Sequence, residues 1–94
     1  MQQFDIVPKF ATGRITITAH AAAQLSSPDV TAALRRHLQA DWGDLAFADK
    51  LQNERVLAKG GCLCSAYRSA RGLRFYIITE ADRSVTTVLL PDDY

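Results

Sequence analysis

The sequence predicts an α+β fold, with two or three helices packed on one face of a mainly antiparallel sheet of three to four strands. Three observations carry this. Residues 73–79 and 85–90 are two runs rich in β-branched and aromatic side chains around the short polar segment Glu80-Ala81-Asp82-Arg83-Ser84, the pattern of a hairpin. Residues 28–40 place Val30, Ala33, Leu34, His37 and Leu38 at i, i+3, i+4, i+7 and i+8, one apolar stripe of a helix. Helical and strand patterns also segregate along the chain, which favours separate layers over an alternating βαβ order.

At the N-terminal end, Phe4, Ile6 and Val7 precede Pro8, and Pro8 keeps that segment out of a central position in a sheet. In residues 15–18, Ile15 and Ile17 alternate with threonines, which predicts a short half-buried strand. The run 20–25 is good helix material with Thr18 as its N-cap. Ser26-Ser27-Pro28-Asp29 interrupts it and starts the next helix: Ser27 caps, Pro28 suits the first turn, and Asp29 favours the positive end of the dipole. Gly43 then breaks the chain direction, Trp42 packs across the junction, and Asp44 is placed to cap a third helix over 47–59, which Gly60-Gly61 ends.

The apolar stripe of that third helix is ragged. Phe47, Leu51 and Ala58 suggest one face, and Val56 and Leu57 another, so one face is either offered to a partner or covered by the N-terminal segment. Asp49 and Asn53, one turn apart, are placed to bond each other or the preceding loop. Residues 62–69 alternate as a strand with Cys62, Cys64 and Ala66 on one face and Leu63, Ser65 and Tyr67 on the other. Arg71-Gly72 turns the chain into 73–79, where both faces are apolar and a central strand is expected.

The 94 residues fit a single domain spanning 1–94, with 48% hydrophobic and 22% charged residues, an ordinary globular composition. A net charge of +1 gives no global attraction to nucleic acid or anionic membrane, so nucleic-acid binding is not favoured and needs a local patch. No apolar run approaches a membrane span and no leader pattern opens the chain. A cytoplasmic protein, without a membrane partner and either monomeric or a small homo-oligomer, is expected.

Cys62 and Cys64 are the only cysteines. Two residues apart in a strand they share a face, and a bond between them closes a strained ring. They read as small buried hydrophobes rather than as half of a metal site, since tetrahedral zinc wants four ligands and the only histidines are His20 and His37. No metal and no cofactor is expected. His37 within its apolar stripe reads as a packed, hydrogen-bonded residue. Ser65 and Ser84 have no histidine at a motif spacing, and neither a P-loop nor a GxGxxG is present, which argues against catalysis.

The segments ADWGDLAFADKLQNERVL, CLCSAYRS and FYIITEADRSVTTVLLPDDY resemble a family of small uncharacterised proteins carried by bacterial plasmids and integrated mobile elements, over residues 38–94. That pattern has a WGDL element, an acidic residue and an Asn one turn apart, a SAY strand, and an ITEADRS-TT-LLP-Y ending. Ala40, where the pattern more often has Gly, and the two cysteines depart from it, which speaks against cysteine chemistry as a family property.

The resemblance implies a setting among accessory genes rather than a reaction. Together with the absence of a catalytic motif it leads to the expectation of a non-enzymatic protein that acts by binding another protein. Regulation of transfer or inhibition of a host defence complex such as a CRISPR effector are the corresponding roles. The alternative is a ribonuclease toxin of a toxin–antitoxin pair, against which the near-neutral charge argues. The candidate binding residues are Trp42, Asp44, Asp49, Asn53, Glu80, Asp82 and Arg83, and no catalytic residue is assigned. Glu80, Asp82 and Arg83 have a purely structural reading too, in which Asp82 shapes the turn and Arg83 pairs with Glu80 or Asp44.

Overall fold

The computed structural model describes residues 7–94, so the apolar positions Phe4 and Ile6 lie outside the described residues. In chain order the elements are β1 (Arg14–Ile17), α1 (Ala19–Gln24), α2 (Ser27–Leu38), α3 (Phe47–Lys59), β2 (Leu63–Arg68), β3 (Arg74–Thr79) and β4 (Val85–Leu89), followed by a 3-10 turn, Pro91–Asp93. The sheet order is β1-β4-β3-β2. β2, β3 and β4 form an antiparallel meander, and β1 joins β4 in parallel, so the expected α+β architecture is present with a mixed sheet. No helix of the described residues is long and apolar enough to cross a membrane.

Pleating sorts the residues onto two faces. Tyr67, Phe75, Ile77 and Val88 lie under α1 and α2, where they meet Ala21, Leu25 and Ala33, with Val30 and Leu34 packed alongside. Phe75 is 1% exposed and Ile77 is fully buried. Register pairs Tyr67 with Phe75 and Ile77 with Val88, so one apolar row crosses three strands. β3 is internal, as its doubly apolar pattern requires.

The helix ends follow local chemistry with two corrections. Thr18 caps α1 by accepting from the Ala21 N–H. α2 is capped by Ser26, not Ser27: it is Ser26 whose hydroxyl reaches the Asp29 N–H, three residues on, which leaves Ser27 and Pro28 as the first helical residues. α3 starts at Phe47, but Asp44 does not cap it. Ala46 occupies the cap position without a side-chain bond, and Asp44 is drawn away by Arg68 and Arg74, at 3.1 and 3.5 Å.

α3 runs along the outer edge of β2 rather than over the sheet centre. Residues 42–44 come first and pair with that strand: Ala66 N–H donates to the Trp42 carbonyl at 3.2 Å, and Asp44 N–H donates to the Ala66 carbonyl at 2.7 Å. Gly43 sits at φ 74°, and a Cβ there collides with the Ala66 carbonyl, so the close approach requires glycine. One turn further along the edge, Asn53 does the work of a neighbouring strand. Its amide donates to the Cys64 carbonyl at 2.7 Å and accepts from the Cys64 N–H at 3.3 Å.

Asn53 therefore bonds neither Asp49 nor the preceding loop, the two partners expected for it, because a buried strand edge needs both its groups satisfied. Asn53→Ala is expected to leave the Cys64 pair unsatisfied and to lower stability by about 1–3 kcal/mol. Urea denaturation of variant and wild type, with an unchanged slope, measures it.

Candidate functional site

The seven residues singled out in the sequence do not converge. Trp42 is 3% exposed and stacks with Phe10 at 6.2 Å, its indole N–H donating to Glu54 at 3.1 Å. It is a core residue at the junction of α2, α3 and β2. Asp44 is an exposed carboxylate bracketed by Arg68 and Arg74. Just before this segment Asp41 accepts from Arg36 Nε at 2.8 Å and Nη2 at 3.2 Å, which holds its carboxyl below the usual range. Arg36 in turn lies 5.0 Å over the Tyr67 ring, and Tyr67 donates to the Asp41 carbonyl at 2.7 Å. The WGDL element is thus held on both sides.

Glu80, Asp82 and Arg83 sit in the β3–β4 turn; the side chains of Asp82 and Arg83 serve it, and the Glu80 carboxylate lies 3.7 Å from the Cys62 thiol. Asp82 accepts from the Ser84 N–H at 2.9 Å, and hydrogen bonding by Ser84, its hydroxyl foremost and then this N–H, lowers its pKa. Arg83 takes a left-handed φ of 61° and donates to the carbonyls of Gly61 at 2.6 Å and Glu80 at 3.1 Å. Its guanidinium pairs with backbone rather than with the carboxylate of Glu80 or Asp44, and it ties the hairpin to the end of α3.

The structure also joins residues whose spacing carried no motif. His37 is fully buried, with Nδ1 against the Ser65 hydroxyl and Nε2 2.9 Å from Thr79 Oγ1. Thr79 lies 2.8 Å from Thr86, and Thr86 donates to the Thr12 carbonyl at 2.8 Å. That last bond commits the only Thr86 proton, so Thr86 accepts from Thr79, Thr79 accepts from Nε2–H, and Nδ1 accepts from Ser65. One tautomer of neutral His37 satisfies the whole chain. Burial foremost, then the positive charge of Arg83, pulls its pKa down to about 4. Phe10 and Trp42 seal the ring at 5.1 and 5.8 Å. Ser65 and His37 lie together in the core as a structural pair.

His20 is the exposed histidine. Its Nδ1 lies 3.2 Å from Asp93, which also accepts from Thr18 Oγ1 at 2.7 Å and from the Leu90 N–H at 3.0 Å. These bonds staple the C-terminal turn to the start of α1.

An open cleft of about 530 Å³ lies on the other side of the sheet, between α3 and the C-terminal turn. α3 contributes Asp49, Gln52 and Asn53, β2 contributes Cys64, β3 contributes Arg74 and Tyr76, and the C-terminal turn adds Pro91 and Tyr94. Arg74 lies 5.6 Å over the Tyr76 ring and Tyr94 is 85% exposed. Phe47, 75% exposed, and Leu51, 41% exposed, stand on the outward side of α3, so among the described residues this face stays open.

Of the predicted residues the cleft holds Asp49 and Asn53. Arg74, Tyr76 and Tyr94 are not among the candidate residues read from the sequence, because they arrive from separate elements. The available signal was the second face of the meander, where Cys64, Tyr76 and Ile78 alternate with core residues and remain only half-buried.

Comparison of the chain with protein-family models, curated proteins and solved structures yields no match.

The cysteines flank the same cleft and are both free thiols. Cys62 is exposed, which corrects the expectation of two buried hydrophobes: it lies just before β2, near Glu80, while Cys64 is within the strand. Burial foremost, then the nearby Asp49 carboxylate, pushes the Cys64 thiol up. Iodoacetamide should therefore alkylate Cys62 first and Cys64 slowly, as mass spectrometry of a time course will show.

Proposed function

We propose that this chain is a non-enzymatic accessory protein that binds another protein through the cleft between α3 and the C-terminal turn. The observation that carries the reading is the lining of that cleft. Two tyrosines, an arginine stacked on one of them, and a carboxylate line it together with the apolar Leu45 and Pro91, and tyrosine and arginine are residue types that anchor protein interfaces. The open face of α3, with Phe47 and Leu51, extends this surface. The residues nearest to a catalytic pair, Ser65 and His37, are engaged with each other and with Thr79 inside the core.

The resemblance of residues 38–94 to proteins of plasmids and integrated elements supports a role in regulating transfer or in inhibiting a host defence complex. The experiment is affinity capture from a bacterial host carrying such an element, with wild type, Tyr94→Ala, Asp49→Lys and, as a control on the far side, Arg35→Glu. A protein retained by wild type and Arg35→Glu but lost by both cleft variants is the expected result. Cleavage of RNA by the purified chain, with no captured partner, overturns the reading in favour of a toxin.

A further inference from the structure

The two edges of the sheet are treated differently. The β2 edge is closed by residues 42–44 and by the Asn53 amide, whereas β1 has its partner β4 on one side and no described residue on the other. Arg14 N–H donates to the Ser84 carbonyl and Thr18 N–H to the Val88 carbonyl, both at 3.0 Å. Successive groups of a strand alternate in direction, so the N–H and C=O of Ile15 and Ile17 point outward.

The side chains repeat this incompleteness. Register sets Ile15 beside Thr86 and Ile17 beside Val88, on the helix-covered face. Yet they are 50% and 41% exposed, since α1 and α2 stop short of the edge and leave a groove of about 300 Å³ lined by Ala22, Leu25 and Val30. The edge has no proline, bulge or inward-pointing charge, and its protection is limited to a length of four residues and Arg14 at its start.

We propose that β1 pairs with β1 of a second copy of this chain, antiparallel across a two-fold axis, to give one continuous eight-stranded sheet. A two-fold axis at Thr16 sets Ile15 opposite the partner's Ile17, and each such pair exchanges both backbone hydrogen bonds. The isoleucines then close over each other at the two grooves.

Charge selects a second copy as the occupant. The same register sets exposed Arg14, which has no ion-pair partner among the described residues, opposite the partner's Thr18. The hydroxyl of Thr18 binds the Asp93 carboxylate at 2.7 Å. Arg14 on each copy therefore comes opposite the Thr18 corner of the other, beside the Asp93 carboxylate that Thr18, His20 and the Leu90 N–H hold, and the juxtaposition is made twice by symmetry.

Sedimentation velocity of the full chain tests this across a concentration series, with Ile15→Pro and Arg14→Glu as variants. Proline at position 15 removes an outward N–H and leaves the β1–β4 bonds intact. Wild type should sediment as a dimer, Ile15→Pro as a monomer with an unchanged circular dichroism spectrum, and Arg14→Glu should shift the dimer midpoint by about tenfold. A monomeric wild type overturns the proposal and leaves the edge to another strand. A dimer that persists in both folded variants overturns it equally, by placing the interface elsewhere.

Discussion

Replacing Phe75 with Ala is expected to cost about 3–5 kcal/mol, which unfolds a domain of this size or brings it close to unfolding. Phe75 is 1% exposed at the middle of the row Tyr67, Phe75, Ile77 and Val88, and its ring meets that of Tyr67 at 6.0 Å. It sits on β3, which bonds β2 on one side and β4 on the other, so no edge relaxation can close the cavity. The loss comprises the transfer of an aromatic side chain and the unfilled volume it leaves. Denaturant titration, or loss of the folded spectrum in water, is the measurement. A denaturation midpoint equal to that of wild type would show that α2 does not pack on β3.

His37 yields the second large effect, and its sign follows from linkage. In the fold its pKa is lowered from 6.5 to about 4, so between these values the unfolded chain binds a proton that the folded chain refuses. Stability therefore rises with pH across that window, is fully present above about pH 6.5, and falls by about 3 kcal/mol as the pH drops to 4. Protonation of Nδ1 removes the acceptor that Ser65 uses. Gln at position 37 cannot titrate, so His37→Gln should be less stable at pH 7 and nearly flat from pH 6.5 to 4. Thermal melts at half-unit pH steps decide it. Equal pH slopes in the two proteins would mean that His37 is charged in the folded state.

Much of this architecture was legible because single-element patterns carry it. The stripe Val30, Ala33, Leu34, His37 and Leu38 set α2 on the sheet, and the doubly apolar run at 73–79 set β3 inside it. Gly60 ended α3 as expected, with a φ of 100° and its N–H bonded to the Val56 carbonyl. What the sequence withheld are the contacts made across the chain. Asn53 and Cys64, or His37 and Ser65, stand 11 and 28 residues apart and acquire their meaning only when β2 is laid against α2 and α3.

The same limit explains the candidate site. Local density of charge points to Glu80, Asp82 and Arg83, but in a tight turn such side chains bond the backbone at hand, as Asp82 and Arg83 do, while the Glu80 carboxylate meets the Cys62 thiol. Asp49 and Asn53 were found because one helical turn puts them together. Tyr76 and Tyr94 join them through a strand pairing and a C-terminal turn that no local pattern encodes. Trp42, by contrast, carries the signature of an interface anchor and lies within the core, because Gly43 lets its segment dock against β2.

The reading of the cleft as the binding surface is tested most directly by hydrogen–deuterium exchange of the chain alone and with its captured partner. Protection on binding is expected in the first two turns of α3, at Tyr76 and through residues 91–94, with the 80–84 turn unchanged. Protection confined to the 80–84 turn, with the cleft exchanging as in the free chain, would contradict it.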